Sequence, residues 1–183
     1  MKTIQQLCVE YGCDKTPEIG HSYAPKYDEL FRGLSPDKIL EIGVGYPELM
    51  DEYTQGHNYQ TGASLKVWRN YFPATYIYGI DIHPDAIFTE DRISTLLGNS
   101  TDSVWVAKVM TPLAPFDIII DDGSHDHKAQ QETAKNFLPL VRPGGMYFIE
   151  DASWPDHFMR DFYSFRPQKL TSGRGDTLIL IRP

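Results

Sequence analysis

The sequence predicts an α/β fold: a mostly parallel sheet with helices on both faces and an antiparallel strand at its edge. Three observations carry this. Short apolar runs rich in β-branched and aromatic residues alternate with segments of helical periodicity. The run FDIIIDD (116–122) holds consecutive isoleucines, the pattern of a strand covered on both faces, as parallel strands are. Asp81, Asp121, Asp122, Glu150 and Asp151 all fall where predicted strands end, on the rim where open parallel sheets bind ligands.

The elements follow in order. KILEIGVG (38–45) is an apolar strand that ends in glycines and carries Glu41 inside it. Residues 63–72 form a helix, with Leu65, Trp68 and Phe72 on one face. TYIYGIDI (75–82) is a second strand, closing on Asp81, and 116–122 is a third. A helix spans about 126–138, and Pro143-Gly144-Gly145 then turns the chain into the strand MYFIED (146–151). In 152–175, at least some of Trp154, Phe158, Phe162, Tyr163 and Phe165 are expected to pack as helix core, with flanking an acceptor ring as the alternative for Trp154. DTLILIRP (176–183) is the antiparallel edge strand.

The 183 residues fit one domain. A net charge of −8 without a Lys/Arg cluster argues against nucleic acid and against an anionic membrane surface. MKTIQQLCVEYG lacks the apolar core of a signal peptide, and no apolar run is long enough to span a bilayer, so a soluble, cytoplasmic protein is expected. Cys8 and Cys13 have no second pair to complete a zinc site and read as reduced thiols. A small-molecule partner remains.

Gly43 and Gly45 let the backbone approach a ligand. The dinucleotide fingerprint asks for a third glycine where Glu48 stands, and for an acid nearer the loop than Asp81, so a nicotinamide cofactor is disfavoured. S-adenosylmethionine has no phosphate to cradle, and Asp81 suits its two ribose hydroxyls. Five carboxylates on one rim repel one another unless cations or ligand donors meet them. His125, with an ordinary pKa near ~6.5, is a proton acceptor within the same stretch.

The order KILEIGVG…GASLKVWRNYFP…IYGIDIHPD…FDIIIDDGSHDH…LVRPGGMYFIED resembles the class I S-adenosylmethionine-dependent methyltransferases. Over about residues 9–153 it is similar, more narrowly, to the metal-dependent macrolide sugar O-methyltransferases of mycinamicin type. IDDGSH (120–125) and IED (149–151) are the most specific pieces, and YGCDKTPEIGHSYAPKYDELF (11–31) is similar to the family's approach segment. The resemblance implies a Rossmann-like fold across 1–183, with 1–36 approaching cofactor and substrate. It implies S-adenosylmethionine held by Glu41, Gly43, Gly45, Ser64, Asp81, Asn99, Ser100 and Asp121, and a divalent ion, usually Mg2+, held by Asp122, Glu150 and Asp151. It gives His125 the role of general base, and makes the acceptor a hydroxyl of a sugar, glycan or similar small metabolite. Cephalosporin hydroxylase-like proteins share much of the pattern, so a metal-dependent hydroxylase and a non-catalytic S-adenosylmethionine binder stand as alternatives.

Three departures follow. Asn99 replaces an acid beside adenine, although an amide still bonds an adenine edge. Residues 46–62 contain an insertion that reads as a lid over cofactor or acceptor. The family's separate N-terminal domain is not among these residues, which leaves the acceptor side open for a homo-oligomer to complete.

Overall fold

The computed structural model describes residues 2–54, 57 and 59–183. Two helices, α1 (Ile4–Tyr11) and α2 (Ala24–Phe31), precede the first strand, β1 (Lys38–Ile42). A short helix α3 (Pro47–Met50) and a longer α4 (Ala63–Tyr71) lead to β2 (Tyr76–Asp81), a brief β3 (Thr89–Glu90) and β4 (Ile93–Leu97). The turn α5 (Ser103–Trp105) precedes β5 (Phe116–Asp121), α6 (His127–Phe137) and β6 (Val141–Ile149). Helix α7 (Pro155–Asp161) and strands β7 (Gln168–Thr171) and β8 (Thr177–Ile181) complete the chain.

The eight strands form one sheet in the order β3-β4-β2-β1-β5-β6-β8-β7. The strands β4, β2, β1, β5 and β6 run parallel, and both flanks are antiparallel. This is the predicted mixed sheet, with two corrections. Strand β8 is antiparallel but interior, because the polar QKLT segment adds β7 outside it. Strand β6 begins at Val141, which already pairs with Phe116 ahead of the Pro143-Gly144-Gly145 irregularity.

Strand alternation divides the core into two layers. Ile39, Ile118, Ile120 and Phe148 face one side, where Tyr27, Phe31 and Trp68 from α2 and α4 pack. Leu40, Ile119, Tyr147 and Ile149 face the other, against Phe137 of α6 and Phe158 of α7. Of the aromatics expected to pack after 152, Phe158 and Phe162 are buried, whereas Trp154, Tyr163 and Phe165 are exposed. Helix α1 opens on a capping box between Thr3 and Gln6 and stops at Gly12, whose left-handed φ of 69° suits glycine.

The parity of each strand decides which acids reach which layer. Glu41 follows Ile39, Asp122 follows Ile120 and Glu150 follows Phe148, so these three side chains share the face covered by the N-terminal helices. Asp121 follows Ile119 onto the opposite face. Strands β1, β5 and β6 are neighbours, which brings the three acids side by side.

Candidate active site

Lys15, 1 % exposed, reaches from the N-terminal segment into that row of acids. Its Nζ donates to Asp122 Oδ2, donates to Glu150 Oε2 at 2.7 Å and lies 3.4 Å from Glu41 Oε1. Burial alone would lower the ammonium's pKa, but Asp122, Glu150 and Glu41 outweigh it and raise it well above its usual value. Glu150 also accepts from the Tyr27 hydroxyl, at Oε1 and 2.6 Å. Glu41 also accepts from the Trp68 indole N–H. Burial pushes Glu41 and Glu150 up from the carboxylate range, against the pull of Lys15. The carboxyls of Asp122 and Asp151 are more open. Tyr23 donates to Asp151 Oδ1 at 2.8 Å and accepts from the Asp151 N–H at 3.1 Å. This double contact holds Asp151 in a left-handed backbone conformation, φ 46°, that non-glycine residues seldom adopt.

His125 lies over the remaining oxygens, with Nε2 3.5 Å from Asp122 Oδ1 and 3.9 Å from Asp151 Oδ2. Among the described residues, ligand atoms of Asp122, His125 and Asp151 gather within 4.8 Å of one another. Burial would raise the Asp122 carboxyl, but the Lys15 charge and His125 hold it down at about 2. The hydrogen bond to Asp122 in turn raises the His125 imidazole above its ordinary value. Ser153 donates to the His125 carbonyl, tying the loop after β5 to the loop after β6. Two ionised oxygens and one imidazole nitrogen converging from three directions are a fitting donor set for a hard divalent cation. His21 lines the same space, with Nε2 3.7 Å from Asp151 Oδ2 and Nδ1 3.3 Å from Asp176 Oδ1.

A cavity of 890 Å³ opens beside this cluster, bordered by Gly43, Gly45, Ser64, Asp81, Asn99 and Ser100. Its size suits an elongated small molecule. Gly43 lets the loop close against the end of β5, since a Cβ there would meet the Asp122 carbonyl oxygen at 2.1 Å. Asp81 Oδ2 accepts from the Val44 and Gly45 amides at 2.9 and 3.2 Å, and Oδ1 accepts from the His83 amide at 2.8 Å, so the strand-end acid fixes the glycine loop. Asn99 Oδ1 accepts from Thr101, and Ser100 Oγ meets Thr133 Oγ1 at 2.8 Å. From the insertion, Leu49, Met50, Tyr53 and Tyr59 line the cavity, and Tyr59 donates to the Val44 carbonyl at 2.9 Å. Gln55, Gly56 and Asn58 of that insertion lie outside the described residues.

Three of the predicted site residues lie apart from these groups. Glu41 does not border the cavity; it lies beneath the loop with Lys15 and Trp68. Asp121 does not border it either, because its parity sends it to the opposite layer, where Tyr147 donates to it at 3.0 Å and burial raises its carboxyl to about 7. Glu150 lies outside the Asp122–His125–Asp151 group, with its oxygens accepting from Lys15 and Tyr27. The helix cap is Asp126, which accepts from the Ala129 amide at 3.0 Å, so neither Asp122 nor Ser124 is spent on capping α6.

No protein-family model matches the chain. Curated proteins do. The chain is 39% identical over 148 residues to an 8-demethyl-8-(2-methoxy-alpha-L-rhamnosyl)-tetracenomycin-C 3'-O-methyltransferase from Streptomyces olivaceus, covering 80% of this chain and 36% of that protein. It is 38% identical over 147 residues to the mycinamicin VI 2''-O-methyltransferase of Micromonospora griseorubida, covering 76% of this chain and 35% of the relative. The solved MycE methyltransferase from the mycinamycin pathway, in complex with Mg, S-adenosylhomocysteine and mycinamycin VI, superimposes with a TM-score of 0.78 at 27% identity. That match covers 99% of this chain and 54% of MycE. The chain is a homologue of these sugar O-methyltransferases, on the class I methyltransferase fold.

The chain thus spans little more than a third of the curated relatives it matches. No helix among the described residues is long and apolar enough to cross a membrane. Within the shared region, sequence reasoning marked the acids and His125 but passed over Lys15, Tyr23 and Tyr27. The quoted YGCDK and Y…Y pieces contain all three, yet only the folded chain shows them meeting acids more than a hundred residues away.

Proposed function

We propose that the protein is a divalent-cation-dependent O-methyltransferase that uses S-adenosylmethionine to methylate a hydroxyl of a sugar or a similar small metabolite. One observation carries the reading: His125 Nε2 and the outward oxygens of Asp122 and Asp151 converge at the edge of a cavity floored by the glycine loop. The relatives' O-methyltransferase names and the Mg and S-adenosylhomocysteine in MycE support it.

When bound, S-adenosylmethionine supplies an electrophilic methyl group, and a cation such as Mg2+ on Asp122 and Asp151 supplies charge that acidifies a nearby hydroxyl. The chain's residues do the rest. His125 Nε2 takes the hydroxyl proton as the O–CH3 bond forms and the S–CH3 bond breaks. Asp122 Oδ1, 3.5 Å from that same nitrogen, favours its protonated form. Asp81 holds the glycine loop open and keeps lone pairs for ribose hydroxyls, with Ser64, Asn99 and Ser100 along the same wall. Leu49, Tyr53 and Tyr59 of the insertion act as a cover that limits water at the reacting atoms. The expected partner is a small hydroxyl acceptor.

The test is direct. Incubation with S-adenosylmethionine, Mg2+ and a panel of rhamnosylated or other deoxysugar-bearing acceptors should yield methyl ethers by mass spectrometry, and EDTA should abolish them. Undiminished turnover in EDTA would remove the cation from the reaction.

A further inference from the structure

Four carboxyls border the cavity, those of Asp14, Asp81, Asp122 and Asp151. Three have protein donors: Asp81 accepts from the Val44, Gly45 and His83 amides, Asp122 from Lys15 and Asp151 from Tyr23. Asp14 differs. Among the described residues it accepts only through its backbone carbonyl, from the His21 amide at 2.6 Å, and its half-buried carboxyl meets no donor. The neighbouring Lys15 directs its Nζ to Asp122, Glu150 and Glu41 instead. Burial raises the Asp14 carboxyl, against the pull of Lys15. Backbone contacts fix the residue in place. The Cys13 amide donates to the Cys8 carbonyl at 2.9 Å, and Gly20 packs so closely that a Cβ on it would lie 2.8 Å from the Asp14 carbonyl oxygen. A carboxyl fixed at a cavity wall without a donor is unfavourable until a ligand supplies one.

The insertion reaches the same corner. Tyr59 borders the cavity, its hydroxyl donates to the Val44 carbonyl at 2.9 Å, and a Cβ on Gly45 would lie 2.5 Å from that hydroxyl. Burial, with Cys13 and Asp14 nearby, raises the Tyr59 phenol well above its usual value. Glu41, the acid expected at the cofactor, lies beneath the loop with Lys15 and Trp68 and is out of reach of a ligand in the cavity. Resting on the methyl-donor reading above, we infer that Asp14 receives the α-ammonium at the amino-acid end of S-adenosylmethionine, with Tyr59 of the insertion covering that corner. The ammonium gives Asp14 the charge-assisted hydrogen bond that no protein group provides. Two acids then read two parts of the donor, Asp81 the ribose and Asp14 the amino acid. The ligand class that follows is a nucleoside sulfonium or thioether carrying a primary ammonium.

The test separates the ammonium from the rest of the ligand. S-adenosylhomocysteine and its des-amino analogue, which keeps the adenosine, the thioether and the carboxylate, are titrated calorimetrically into the full chain and into Asp14→Asn. The unaltered chain should bind the des-amino analogue ~10–100-fold more weakly than S-adenosylhomocysteine, the range for a hydrogen bond between charged groups. Asp14→Asn should weaken S-adenosylhomocysteine by a similar factor and hold the des-amino analogue within about threefold, so that it binds the two nearly alike. Equal affinity of the unaltered chain for both ligands would overturn the ammonium site. So would a variant that weakens both to the same extent, or neither. Should Asp14→Asn fail to fold, the comparison of the two ligands on the unaltered chain decides by itself. An unaltered chain that binds neither ligand would sink the donor reading, and not the role of Asp14 alone.

Discussion

Asp121 and Asp122 are adjacent in sequence and opposite in consequence. Strand alternation sends Asp121 to Tyr147, where burial raises its carboxyl to about 7, while Asp122 meets Lys15 and His125 and is held at about 2. Alternation along IIIDD separates the two aspartates, but an isoleucine stands two before each, so only the folded chain shows which layer each enters. Lys15 is not legible in the same way, because its partners lie on three separate strands and nothing local marks a lysine as buried. His125→Ala should lower turnover by ~10²–10⁴-fold, the span of general-base catalysis, and leave S-adenosylhomocysteine affinity within about threefold. Initial rates and a binding titration on the same preparation check this. Asp176 makes a prediction about stability. Burial would raise its carboxyl, but hydrogen bonds from the Ser22 amide, Ser172, Ser22 and His21 prevail and hold it at about 2. The folded value lies below the unfolded value near ~3.9, so its stabilisation is complete above ~3.9 and fades as pH falls towards about 2. Asp176→Asn should therefore melt below the unaltered chain at pH 7, with the gap closing as pH is lowered through that window, as followed by circular dichroism.

At the level of elements, the strongest signals came from segments whose burial is unambiguous. The strands β1, β2, β5 and β6 and the helices α4 and α6 are written as apolar runs or faces, and each lies within a few residues of its predicted span. Strands β4 and β7 were missed for a shared reason. ISTLL mixes polar residues into a short run, and QKLT is a largely exposed edge, so pairing with β2 and β8 decides them rather than their own pattern. Helix α6 carries the motif's downstream end, and Asp126 fixes its start by accepting from Ala129 N–H at 3.0 Å. Asp126→Ala should cost ~0.5–2 kcal/mol in chemical denaturation, the range for losing an N-cap. Because His125 is the preceding residue, the same variant should loosen the base as well as the helix, and turnover should fall with stability. The insertion contributes α3 and the Tyr59 contact to Val44, so it packs on the glycine loop rather than standing apart from the fold.

On the scale of the molecule, a parallel sheet places the ends of β1, β2, β5 and β6 around one 890 Å³ cavity, and the segment before β1 closes its acidic side. Asp81 and the glycine loop border one side of this cavity, and Asp122, His125 and Asp151 the other. The proposed function rests on that adjacency: a methyl donor along one wall and a hydroxyl acceptor at the other would meet within reach of one imidazole. The relatives are nearly three times as long as the stretch they share with this chain. The most direct measurement is a calorimetric titration of S-adenosylhomocysteine into the chain with Mg2+ present. Saturable binding with a micromolar Kd, weakened by Asp81→Ala, is the predicted result. An absence of heat at millimolar ligand would contradict the account and leave the cavity without the donor that its glycine loop and strand-end acid are built to hold.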